Sequence, residues 1–321
     1  STTLKKERTV NTGLAYLTVI LVWATTPLAI KWSAEALPPV MAAGLRMALA
    51  VLIGVPWLWL IGERLRWHRA ALLSYGAAIP GVFGAMAFSY LASQYVPSGL
   101  ISVVFGMAPL LSGLILLSSP GAVRLNAYHW VGCVLGVAGL ALVFAPSLSA
   151  EGDPELPVGL ALLLIAVAGF SVSGVWVKQV SIGLHPLTHT MGALILSLPL
   201  YAVFSWMLGE RLEYAGRPEG LYAIVYLAIC GSLIGFVSYF VILSRLSAAT
   251  VALVTLITPI LALLLGWLLN DEALSWRVVA GALVIISALA LYFFGDRRVR
   301  RAVALQQGTG RHGHLADVSS H

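Results

Sequence analysis

The sequence predicts an all-α integral membrane protein: ten transmembrane helices arranged as two five-helix repeats of inverted topology. Three observations predict it. The 321 residues are 60% hydrophobic and only 10% charged, too apolar to wrap a single soluble core. Long uncharged runs recur between short charged or Pro/Gly-rich breaks, and about 20 apolar residues suffice to cross a bilayer core about 30 Å thick. The tetrapeptide Gly-Glu-Arg-Leu occurs twice, at 62–65 and 209–212, each time behind an apolar run.

The apolar runs have approximate limits 12–31, 39–61, 70–93, 98–118, 127–146, 157–180, 186–208, 219–244, 248–269 and 274–295. The first follows Lys-Lys-Glu-Arg as a signal peptide would. It is long, however, ends in the charged stretch Ile30 to Glu35 and lacks a small-residue cleavage site, so it is read as helix one. Runs such as 159–170, GLALLLIAVAGF, are apolar on every face, unlike the alternating strands of an outer-membrane barrel. No stretch is left for a soluble domain, and residues 302–321 lack periodicity and read as a disordered tail.

Lys and Arg concentrate in cytoplasmic loops. With the N-terminus inside, Lys5, Lys6, Arg8, Arg64, Arg66, Arg69, Arg124, Lys178, Arg245 and the C-terminal arginines fall in the cytoplasm; Lys31, Arg211, Arg217 and Arg277 fall outside. Both termini are then cytoplasmic. The net charge of +6 is this topology signal together with anchoring to anionic lipid, and implies no nucleic-acid partner. Cys133 and Cys230 lie in apolar runs and read as packing residues.

A shift of 147 superimposes Thr26 on Ser173, Lys31 on Lys178, Pro39 on Pro186 and the two Gly-Glu-Arg-Leu stretches; further on it drifts to 149 or 150, matching Tyr90 with Tyr239 and Pro109 with Pro259. The chain therefore reads as a duplication of 12–146 and 157–295. Five helices per copy is an odd number, so the second copy enters the membrane from the opposite side. Inverted repeats of this kind build secondary transporters around a midplane site; a larger inert bundle, a channel or a membrane enzyme is the alternative.

LVWATTPLAIKWS in helix one, LPPVMAAGLRMALA in helix two and the stretch from Ser247 to Phe294 over helices nine and ten resemble the paired EamA-type repeats of the drug/metabolite transporter superfamily. The resemblance covers about residues 12–295, and within the superfamily the chain looks most like bacterial inner-membrane exporters of aromatic amino acids. It implies export of aromatic or large neutral amino acids, with other metabolite or multidrug carriers of the superfamily as the alternative. One departure is that the acidic pair Asp271-Glu272 has only Gly121-Ala122 opposite it in the first repeat.

No phosphate-binding G-x-x-x-x-G-K-[ST] loop is present, so no ATP motor is recognisable. Every Asp and Glu lies in a loop, a tail or at a helix edge, and His189 is the nearest candidate for a proton relay. Facilitated movement or exchange is the expected energetics, with no cofactor and no metal. A membrane enzyme is disfavoured because no metal or nucleophile motif and no intramembrane carboxylate base appears.

Arg46 is the one clear intramembrane charge, functional by default; it can hold a substrate carboxylate, snorkel to the interface or satisfy backbone carbonyls. Residues spaced three, four or seven apart share a helical face. Trp23, Thr26 and Ile30 do so in helix one, Gly169, Ser173 and Trp176 in helix six, Phe83, Met86 and Tyr90 in helix three, and Ser232, Phe236 and Tyr239 in helix eight. Such faces suit a flat amphipathic solute, or serve packing and interfacial belts. The expected substrate contacts are Trp23, Thr26, Arg46, Met86, Tyr90, Ser173, Trp176, Phe236 and Tyr239. Pro109 and Pro259 are matched candidate hinges, and GxxxG patterns at 132–136 and 231–235 read as close-packing sites, with a dimer contact through helix five as a further option.

Overall fold

The computed structural model describes residues 2–117, 126–144, 155–180, 182–246, 251 and 254–295, with side chains from position 12 onward except at 256. We label its helices α1 (Thr2–Ala36), α2 (Pro39–Leu60), α3 (Arg69–Ala92), α4 (Ser98–Leu116), α5 (Ala127–Phe144), α6 (Leu156–Gln179), α7 (Pro186–Met207), α8 (Pro218–Arg245), α9 (Val254–Asn270) and α10 (Trp276–Gly295). Among the described residues eight helices are long and apolar enough to cross a membrane, and α5 and α9 are shorter apolar helices. The tail, and the Gly121-Ala122 positions opposite Asp271-Glu272, lie outside the described residues.

Local chemistry sets the helix ends. Pro39, Pro186 and Pro218 open α2, α7 and α8, where the missing N–H costs no bond and φ is already helical. α2 and α7 stop alike: Gly62 and Gly209 take positive φ of 77° and 69°, a conformation that is free of strain only without a Cβ. The next N–H then folds back on the helix, Glu63 N to Leu58 O and Glu210 N to Ser205 O, both at 3.1 Å, as in a Schellman end. α9 ends in a related turn one residue wider, through Asp271, φ 50°, with Glu272 N on Gly266 O at 3.1 Å.

One expectation is corrected, and one bend falls where a proline predicts it. α1 runs on to Ala36 instead of ending at 31, because Lys31 lies within it and its Nζ donates to the carbonyls of Ser93 (3.1 Å) and Val96 (3.2 Å) at the end of α3. α4 is interrupted at Gly106–Met107, between Phe105 and Ala108. Pro109 has no N–H for the carbonyl of Phe105, so the break falls ahead of the proline.

The two halves of the chain interdigitate. α1 packs on α8 and α9, α2 on α7, α3 and α4 on α6, and α4 on α9. One apolar core lies among α1, α2, α3, α7 and α8, a second among α4, α5, α6 and α10. A methyl at Gly132 or Gly139 of α5 would meet the carbonyl of Ala288 (2.9 Å) or Gly281 (3.0 Å) of α10, so this glycine face of α5 is occupied within the chain.

Candidate functional site

A cavity of about 80 Å³ lies between the halves, walled by Trp23, Thr26, Pro27 and Ile30 of α1, Arg46 of α2, Met86 and Ser89 of α3, Ile101, Ser102 and Phe105 of α4, Phe170 of α6, Gly231 and Phe236 of α8, and Thr255 and Thr258 of α9. That volume holds several waters and is smaller than a typical ligand pocket.

Arg46 is 1% exposed. Its Nε donates to Ser232 Oγ at 2.8 Å, and Nη1 approaches Met86 Sδ at 3.9 Å. Among the described residues no carboxylate pairs with it; the ion pair present there is Arg217 with Glu35, 2.6 Å, at a helix end. The space for the guanidinium comes from Gly231, where a Cβ would stand 2.8 Å from Arg46 Nη2. Both neighbours depend on π-helical turns, Leu227–Gly235 containing Gly231 and Ser232 and Pro80–Ala85 leading into Met86. A π turn widens a helix and recurs at functional sites.

The rings form one cluster around the cavity. Trp23 meets Phe170 at 5.6 Å and Tyr239 at 5.0 Å, and Phe170 meets Phe105 at 5.7 Å. These are favourable edge-on and tilted spacings. Thr26 Oγ1 donates to Val22 O (2.6 Å) and Ser89 Oγ to Ala85 O (2.6 Å). Both hydroxyl hydrogens are thus committed to backbone, and the oxygens remain as acceptors.

Of the residues expected from sequence, Trp23, Thr26, Arg46, Met86 and Phe236 line the cavity together. Tyr239 stands behind Trp23, in ring contact with it. Tyr90 is 0% exposed in the first core, with its hydroxyl unpartnered. Ser173 is turned away, its Oγ donating to Ala78 O at 3.3 Å. Trp176 is 48% exposed and off the cavity wall. Its place is taken by Phe170, the mate of Trp23 at the shift of 147. The helical period led to the wrong face because it was drawn through Ser173, whose hydroxyl bonds the backbone of α3. Pro259 lies inside α9, one residue beyond the cavity-lining Thr258. His189 is buried, its Nε2 3.0 Å from Ser74 O and its ring 4.4 Å from Phe240, outside the cavity wall.

A bundle of membrane-spanning helices that encloses a cavity with a buried cation on its wall has the build of a membrane carrier. The chain belongs to the EamA-like transporter family, whose model matches residues 12–145 and again 157–294. Among its relatives are the uncharacterized inner membrane transporter YedA of Escherichia coli, 27% identical over 88% of this chain and 90% of that protein, and a probable amino-acid metabolite efflux pump of the same species, 26% identical over 91% and 97%. An uncharacterized transporter of Archaeoglobus fulgidus is 28% identical over 86% and 95%. One solved crystal structure shares the fold, with a TM-score of 0.64 at 23% identity over 90% of this chain and 98% of that one.

Proposed function

We propose that the protein is a secondary transporter of the inner membrane that exports aromatic and large neutral amino acids by alternating access, through facilitated movement or exchange rather than ATP hydrolysis. The carrying observation is Arg46, a buried guanidinium on an aromatic cavity wall with no carboxylate partner among the described residues. A charge at the middle of a membrane helix costs about 2.5–3.5 kcal/mol on insertion scales. A substrate carboxylate offsets that cost by accepting from the guanidinium edge, displacing only the weak thioether contact of Met86. The ammonium group is then served by the acceptor oxygens of Thr26 and Ser89 and by the carbonyl of Trp23, which Pro27 deprives of its helical N–H donor. The side chain stacks among Trp23, Phe105, Phe170 and Phe236. At about 80 Å³ the cavity takes an aromatic amino acid only if its wall gives way, and Met86, unbranched and flexible, is the side chain suited to yield.

The twofold match of the family model supports the reading of two oppositely inserted repeats, with both termini cytoplasmic as the Lys and Arg distribution implies. The relatives named as an inner membrane transporter and as an amino-acid metabolite efflux pump support the location and the substrate class. Counterflow of labelled phenylalanine into proteoliposomes tests the proposal. Uptake should saturate, proceed without a pH or sodium gradient, and be competed best by aromatic and large neutral amino acids. Strict dependence on a proton gradient, or competition only by nucleotide-sugars or quaternary ammonium drugs, would overturn it.

A further inference from the structure

Three turns of this chain share one construction. Glu63, Glu210 and Glu272 each follow a residue of positive φ, Gly62, Gly209 and Asp271, and each has its backbone N–H folded back onto the helix just ended. The device throws a carboxylate past the end of one helix. Two of the three carboxylates land on the opening turn of a helix from the other half of the chain. Glu210, beyond α7, accepts from Val40 N (2.9 Å) and Met41 N (2.8 Å) at the start of α2, and Ser205 Oγ donates to it at 2.8 Å. Glu272, beyond α9, accepts from Ser98 N (2.8 Å) and Gly99 N (3.2 Å) at the start of α4, and Asn270 Nδ2 donates to it at 3.0 Å. Helix openings carry free N–H groups and positive dipole charge, so an ionised carboxylate there makes charge-assisted bonds.

Both caps lie at the same end of the bundle, the end of α1's Ala36 and α8's Pro218. There the halves are also joined by the Arg217–Glu35 ion pair, by Trp32 Nε1 to Asn270 Oδ1 (2.8 Å) and by Ala215 N to Ala36 O (3.0 Å). Glu63 lies at the opposite end, and its carboxylate accepts no hydrogen bond among the described residues. By the shift of 147, the counterparts of Val40 and Met41 are Leu187 and Thr188 at the start of α7. Among the described residues Thr188 Oγ1 is buried there without a partner, and Leu187 N donates to His185 Nδ1 at 3.3 Å. Glu272 has Ala122 as its counterpart, so the first half carries no carboxylate at that matched position.

We infer that Glu210 and Glu272 are the latch that closes the extracytoplasmic mouth of the cavity, and that Glu63 is its counterpart for the cytoplasmic mouth, engaging α7 when the outer latch releases. The inference rests on the carrier reading and its inverted topology for which end faces outward. With two caps against one, the outward-closed state is the favoured one in the absence of solute.

Side-specific labelling tests this without any substrate. Cysteine replaces the cavity residue Thr26 in full-length protein lacking Cys133 and Cys230, and an impermeant maleimide is applied to intact cells. The parent should label slowly from outside. Glu210→Gln and Glu272→Gln, which keep shape but lose the charge and replace one of the two accepting oxygens with an NH2 donor, should each label severalfold faster, and the double variant faster still. Glu63→Gln should label from outside no faster than the parent. The single variants each retain one cap and keep the test decisive if the double variant does not insert. Unchanged outside labelling in folded single variants overturns the latch, as does a Glu63→Gln acceleration equal to that of Glu210→Gln. Acceleration only in inside-out vesicles overturns the assignment of this mouth as the outer one, and with it the proposal. Failed amino-acid counterflow with accelerated labelling leaves the latch standing and removes only the substrate reading.

Discussion

Arg46 on α2 and Ala193 on α7 occupy matched positions 147 residues apart, and both are buried. One carries a charge to the cavity, and the other packs in the core. The carboxylates are divided the opposite way: Glu210 and Glu272 of the second half cap helices of the first, and Glu63 of the first half caps none among the described residues. The two stretches that the family model matches therefore share backbone devices, proline openings and positive-φ endings, while their charged groups differ. A site made of identical halves would present the same groups from both sides; here one guanidinium, Arg46, stands on the cavity wall, so under the proposed function a solute carboxylate has one place to bind.

The largest expected effect falls on that charge. Arg46→Ala should slow counterflow of carboxylate-bearing solutes by more than about tenfold, since a hydrogen bond to a charged group contributes about 1.5–3 kcal/mol. Phenylalaninamide, which lacks the carboxylate, should be transported no worse by the variant than by the parent. Equal losses for both solutes would show that Arg46 only holds the helices together.

The matched rings come next. Trp23→Ala and Phe170→Ala should each raise the half-saturation concentration severalfold, since a ring contact is worth about 0.5–1.5 kcal/mol beyond its buried area. Trp176→Ala, on a surface that faces away from the cavity, should leave it unchanged. A Trp176 variant as impaired as Trp23→Ala would move the substrate path to another face of α6.

The smallest contrast is one of stability. Glu210→Gln should lower unfolding stability in detergent by about 1 kcal/mol, the usual scale of a lost helix cap. Glu63→Gln should stay within about 0.5 kcal/mol, as substitutions away from the core and from caps do. Thermal melts of the two purified variants, read by intrinsic fluorescence, make the comparison.

Much of the fold was legible because its punctuation is local. The runs at 39–61 and 186–208 end within a residue of α2 and α7, where proline opens and glycine closes each helix. Length beyond the bilayer was not legible at α1, because helices continue through charged residues once those find partners, as Lys31 does on the end of α3. Arg46 was visible as a charge in an apolar run, Trp23 and Thr26 as marks on one face of helix one, and Met86 by its place between Phe83 and Tyr90 on a face of helix three. Phe170 was hidden, because the serines beside it, Ser171 and Ser173, mark buried sides of α6 that bond the carbonyls of Ala108 and Ala78. Ser89, Ser102 and Thr258 were missed since lone hydroxyls in membrane helices more often bond their own backbone, as Ser89 does. Gly231 carried a GxxxG signature that reads as helix packing, whereas it gives way to a guanidinium.

The comparison of halves rests on their opposite insertion, and one labelling experiment addresses it directly. Cysteine is placed at Arg64 or Arg211, in the twin Gly-Glu-Arg-Leu stretches, in protein lacking Cys133 and Cys230, and intact cells are treated with an impermeant maleimide. The Arg211→Cys variant should label at once, and the Arg64→Cys variant only after the membrane is permeabilised. Equal labelling of the two in intact cells would contradict the inverted repeat.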